Sequence, residues 1–137
     1  MIDCETDIFS IVSTALRAEF AGIFVSGEYV PTPPKFPAVS IVEADNRIAT
    51  RYRTTEIENG AIVMYEVNVY SNKVSGKKAE AKAVAAVLDN EFRKLGFSRT
   101  MKNQVPNMND ATIYRIVCRY EGVIIPNDDG KYYVYTN

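Results

Sequence analysis

The stretch RYRTTEIENGAIVMYEVNVY, residues 51–70, decides how the rest of the chain is read. Asn59-Gly60 is the preferred pair for a two-residue type I′ turn, whose central residues both take positive φ. On either side of it the residues alternate as strands do. The spacing predicts Ile57 opposite Ile62, Thr54 opposite Tyr65, Tyr52 opposite Val67 and Arg53 opposite Glu66. An Arg53–Glu66 pair would contribute only about 0.2–1 kcal/mol, yet it would help to fix register. Val63, Tyr65, Val67 and Val69 share one face, assigned to the core. Near its tip the first strand is polar on both faces, so a hairpin spanning 47–70 is expected to project from the body.

Helices flank this unit. Ile8, Ile11, Val12, Ala15 and Leu16 recur at helical spacing, and Asp3 or Thr6 is placed to cap the start. Asp3, Glu5 and Asp7 sit where the helix dipole favours negative charge. That helix is expected to end near Glu19, ahead of Gly22. A second helix is predicted from Ser75 or Gly76 to Leu95, with Val84, Val87, Leu88, Phe92 and Leu95 as its apolar stripe and Gly96 as the residue that stops it. Lys77, Lys78 and Lys82 crowd its positive end, where they either grip an anion or acidic partner or form a solvated face.

Between the first helix and the hairpin lies GEYVPTPPKFPAVSIVE, residues 27–43, with Pro31, Pro33, Pro34 and Pro37 in seven positions. Each proline fixes φ and restricts the residue before it to extended conformations. Residues 27–37 therefore read as a stiff arm of polyproline type, with Phe24, Tyr29 and Phe36 as apolar handholds. Such an arm either docks on a neighbouring subunit or packs on its own. A short strand, AVSIVE (38–43), follows. After the second helix come strands in FSRTMKNQV, in ATIYRIVCRYEGVII and, beyond a turn at Asp129-Gly130, in a tyrosine-rich terminal segment. Tyr114, Ile116, Cys118 and Tyr120 share one face of the long strand. The order α-β-β-β-α-β-β-β predicts one α+β domain over residues 1–137, two helices packed on a mainly antiparallel sheet.

Composition bounds the function. At 137 residues, 47% hydrophobic and 24% charged, the chain is large enough for a real core without staples. No apolar run approaches the roughly 20 residues of a membrane span. The start, MIDCETDIFSIV, is acidic where a secretory signal is basic, so a cytoplasmic product is expected. Histidine is absent, which removes the commonest general base and metal ligand. Cys4 and Cys118 have no metal-binding or redox spacing and read as buried thiols.

Phosphate-binding glycine motifs do not occur. NDDG resembles the opening of a calcium loop but lacks the later glutamate, and a hairpin turn explains it better. Glu56 and Glu58 share a strand face near a turn, where solvent keeps them ordinary. No catalytic, cofactor or metal site is expected, nor nucleic-acid recognition, which calls for a clearly basic domain.

Charge is nevertheless unevenly spread. Residues 1–46 carry seven acids against two bases, a net of −5. Residues 47–102 carry eleven bases against six acids, a net of +5. Either tertiary folding mixes these charges, or copies of the chain associate head to tail.

FPAVSIVE (36–43), NRIATRYRTTEIENGAIVMYEVNVYSN (46–72), the helix KKAEAKAVAAVLDNEFRKLGF (77–97) and the strand ATIYRIVCRYEGVI (111–124) together resemble the tail terminator, or tail completion, family of long-tailed bacteriophages. The resemblance covers nearly the whole chain and is one of pattern; no single chemical group carries it. It implies a non-enzymatic virion protein, assembled in the host cytoplasm, that forms a ring, usually a hexamer, at the head-proximal end of the tail. Such a ring stops tube polymerisation and presents a surface to the head connector. On that reading the partners are further copies of the chain, the tail tube protein and a neck protein. The expected contact residues are Tyr29, Pro31, Pro33, Pro34 and Phe36 of the arm, with Asn59 and Gly60 at the hairpin tip. Arg47, Arg51 and Arg53 are expected to meet Glu28, Glu43 or Asp45 of the next subunit. Alternatives are another neck or minor capsid component, or a small dimeric ligand-binding or regulatory domain.

Overall fold

The computed structural model describes residues 1–49, 60–107, 110–126 and 132–135. Helix α1 spans Glu5–Glu19 and α2 spans Lys77–Lys94. The strands are β1 (Phe24–Ser26), β2 (Ala38–Ile48), β3 (Ala61–Ser71), β4 (Ser98–Gln104), β5 (Tyr114–Pro126) and β6 (Tyr132–Tyr135). The fold is α+β, with elements in the order expected. The sheet runs β1-β2-β3-β5-β4, and β6 pairs with the far end of β5. All pairings are antiparallel except β1 with β2, so the sheet is mixed.

The central hairpin departs from the sequence-based pairing. β3 pairs with β2, from Ala38 opposite Tyr70 to Ile48 opposite Ala61. Its other edge is filled by β5, from Ala61 opposite Ile124 to Ser71 opposite Tyr114. With both edges occupied, Ile62, Tyr65, Glu66 and Val67 of β3 face partners other than the expected Ile57, Thr54, Arg53 and Tyr52. Glu66 instead lies between Val42 and Arg119 and pairs with the Arg119 guanidinium at 3.2 Å. Apolar burial decides the choice. Pairing with β2 sets Val39 and Ile41 beside Val69 and Val67 in the core, cover that the polar RYRTTEIE cannot provide. Thr54, Tyr52 and the rest of 50–59 lie outside the described residues.

β2 is also longer than AVSIVE. It runs on to Ile48 through a bulge between Glu43 and Asp45. The extra residue turns Asp45 to the opposite face from Glu43, which separates two carboxylates that plain alternation would stack together.

Both helices lie on one face of the sheet. Ile8, Val12 and Leu16 of α1, with Val84, Leu88 and Phe92 of α2, enter a core with Val63, Tyr65, Val67, Cys118 and Tyr120. Val87 and Leu95 are half-buried at its margin, and Ile11 is exposed. At the centre the Phe92 and Tyr120 rings stack at 4.4 Å, and Phe97 stands edge-on to Phe92 and Tyr65 at 5.5 and 5.7 Å. Such offset and edge contacts contribute about 0.5–1.5 kcal/mol beyond burial.

The helix ends follow local chemistry. Asp3 Oδ1 accepts the Glu5 N–H, while Cys4 occupies the cap position itself. α2 starts at Gly76 and closes in a Schellman motif: Gly96 N–H donates to Arg93 O, and Phe97 N–H to Phe92 O. Gly96 takes φ +89°, a conformation that glycine adopts at little cost.

The proline segment does not run straight. It bends at 27–28, 31–32 and 34–37. Phe36 packs with Phe24 against Ala38, Tyr70 and Ile113, on the sheet face away from the helices. Apolar cover for one aromatic ring thus outweighs the proline preference for an open arm.

Candidate assembly surfaces

The sheet order places opposite charges at its two ends. α1 and β1 bound a cleft of about 570 Å³ at one end, where Asp3, Glu5 and Glu28 surround Phe9, Val25 and Tyr65. Glu43 belongs to the same electrostatic group. Its half-buried carboxyl is raised above the usual carboxylate range, first by burial and next by Glu5, against the hydrogen bond that Asn46 donates to it at 3.3 Å. Asp3, Glu5, Glu28 and Glu43 form no ion pair among the described residues. Tyr65 is fully buried, yet its hydroxyl has no hydrogen-bond partner among the described residues. The Cys4 thiol adjoins it without meeting hydrogen-bond geometry. Burial, followed by Cys4 and Glu43, pushes the Tyr65 phenol well above its ordinary value.

The other end is basic. α2 and β4 enclose two adjoining hollows of about 390 and 220 Å³, lined by Lys82, Arg93, Arg99 and Lys102 around Asp89. Asp89 is the anchor: its Oδ1 accepts from Arg99 Nη1 at 2.8 Å and from the Tyr120 hydroxyl at 3.1 Å. Lys82 and Lys102 are exposed and form no ion pair among the described residues. Among those residues β4 ends the sheet, so one backbone edge of an almost wholly exposed strand is unpaired.

The expected contact residues fall in several places. Tyr29 is 54% exposed, and the Arg115 guanidinium stands 5.9 Å from its ring. Pro31 and Pro34 are exposed, Pro33 is buried and Phe36 half-buried. Glu28 lies in the acidic cleft. Arg47 pairs within the chain, with Asp45 at 2.9 Å and Glu121 at 3.7 Å. Gly60 is buried, and its carbonyl accepts the Ala49 N–H at 3.0 Å. Arg51, Arg53 and Asn59 lie outside the described residues. Lys77 donates to the Thr112 carbonyl at 3.2 Å, which ties the basic start of α2 to the loop before β5. Among the described residues no cluster of His, Cys, Asp and Glu is arranged to hold a metal.

The Asp89 anchor escaped the sequence reading. Its signal is faint: a buried tyrosine on β5 needs an acceptor, and only the three-dimensional arrangement of α2 over β5 supplies one. Parallel β1 left even less trace, since FVS is three residues long.

No protein-family profile matches the sequence, and no curated protein does. Among solved structures, a chain from the virion of a native gene transfer agent particle has the same fold, with a TM-score of 0.55 over 82% of this chain and 90% of that one, at 20% identity.

Proposed function

We propose that this chain is a structural virion protein that closes into a ring on the end of a phage tail tube, halts tube growth and offers its far face to the head connector. The fold shared with a virion chain carries this reading, because the likeness covers most of both molecules. The sequence pattern supports the terminator role, and the opposite charge of the two sheet ends supports association of copies head to tail. Heterologous contacts of that kind close into rings when the rotation between copies divides a full turn.

On this reading the chain acts by binding and not by catalysis. Its place is the head-proximal tail end, and its partners are its own copies, the tube protein and a neck protein. Exposed Tyr29, Pro31 and Pro34 form a preordered ridge for one of these partners. Ordering a mobile loop on binding costs about 0.5–1.5 kcal/mol for each immobilised side chain, a cost that a prefolded ridge largely avoids. Arg51 and Arg53 add positive charge to the β2–β3 connection for the same purpose.

The shared fold fits a neck component as well as a terminator, and genetics separates them. Removing the gene from the genome that encodes it leaves tubes of uncontrolled length if the chain ends polymerisation. Normal-length tails without heads would refute termination and favour a neck role.

A further inference from the structure

Resting on the ring reading, we propose that the acidic cleft of one copy, between α1 and β1, receives the Lys82–Lys102 edge of the next copy, between α2 and β4. The cleft is already folded and lined by apolar Phe9 and Val25, but its carboxylates form no ion pair among the described residues. Among the described residues, Asp3, Glu5 and Glu28 line the cleft and Glu43 lies in their electrostatic reach without a cationic partner, and the phenol buried at the floor has no hydrogen-bond partner. Clustered like charge and an unsatisfied hydroxyl both disfavour the free subunit. An ammonium group entering the cleft relieves the clustered charge.

The other side supplies that group. Arg99 and Arg93 are committed within the chain, to Asp89 and Asn90. Arg47 is committed to Asp45 and Glu121. Among the described residues, Lys82 and Lys102 are the cations of the edge groove that pair with no acid. Register explains why both face the same way. Lys102 lies opposite Cys118, whose side chain is in the helix-side core, so Lys102 stands beside α2 and its Lys82. The two surfaces therefore lie in one layer, at opposite ends of a sheet. Four strand spacings of about 4.8 Å put them roughly 19 Å apart. Patches pointing away from each other at opposite ends of a subunit are not both covered by one two-fold interface, but they join naturally head to tail.

The test uses the full chain in sedimentation velocity at physiological salt, with circular dichroism to check folding. Lys82→Glu with Lys102→Glu, and separately Glu5→Lys with Glu28→Lys, each convert ring-sized species to folded monomer. Placing all four substitutions in one chain restores the wild-type sedimentation coefficient. Rings that persist in either double variant overturn the proposed contact while the ring reading stands. Double variants that dissociate but are not restored by the quadruple variant overturn the pairing of these two surfaces. A wild-type chain that stays monomeric at all concentrations overturns both.

Discussion

Glu43 shows how a single side chain connects the stability of the subunit to its surface. Its carboxyl is half-buried, and desolvation first, then the charges of Glu5, Asp3 and, from the opposite sheet face, Asp45, favour the protonated form. The native subunit thus holds the proton more tightly than the unfolded chain does. Stability falls as pH rises through the carboxylate range, and it is restored as pH falls below it. Glu43→Gln retains an oxygen to accept from Asn46 and removes the charge. Measured by calorimetry on dissociated subunits, it should unfold at a higher temperature than wild type at pH 7, with the advantage fading towards pH 4. An unchanged pH slope would disprove this account of Glu43. The two thiols behave as buried groups of the core: Cys4 is pushed up to about 11 and Cys118 upward as well, both chiefly by burial. The burial of Cys118 could be read from the sequence, since it alternates with Ile116 and Tyr120 on an inward face. The Tyr65 hydroxyl could not, because its lack of a partner depends on how α1 meets β1.

Among the elements, α2 was the most legible, because its stripe, its last-turn cations and Gly96 all agree on one answer. The Schellman closure turns that agreement into a test. Gly96→Ala forces a residue with a Cβ into the left-handed region at φ +89° and should destabilise the chain by about 1–2 kcal/mol in denaturant titration. A neutral outcome would mean that the helix end relaxes into another cap. β3 was legible as a strand and its inward face was read correctly. Its partner was not, because the Asn59-Gly60 signal is local while pairing is settled by the apolar surface that a whole strand offers. Val39 and Ile41 outbid a turn motif. The bulge after Glu43 was equally hidden, since nothing in VEADN marks which residue is extra. The proline segment illustrates the same competition, with Phe36 drawn onto Tyr70 and Ile113.

At the scale of the molecule, part of the unequal charge of the first and middle segments survives folding among the described residues, although Arg47 of β2 is answered by Asp45 beside it. Strand order explains it: α1, β1 and the start of β2 bring the acidic segment to one end, and α2 with β4 brings the basic segment to the other. Composition could give the two net charges, but not that the sheet would hold them apart. A subunit polarised in this way, with a preformed cleft at one end and an unpaired strand edge at the other, is suited to repeated head-to-tail contact. Electron microscopy of the purified wild-type protein tests that claim most directly. Class averages showing annular particles with a central opening and rotational symmetry are the predicted result. A field of single globules or two-fold dimers, unchanged across concentration and salt, would contradict it.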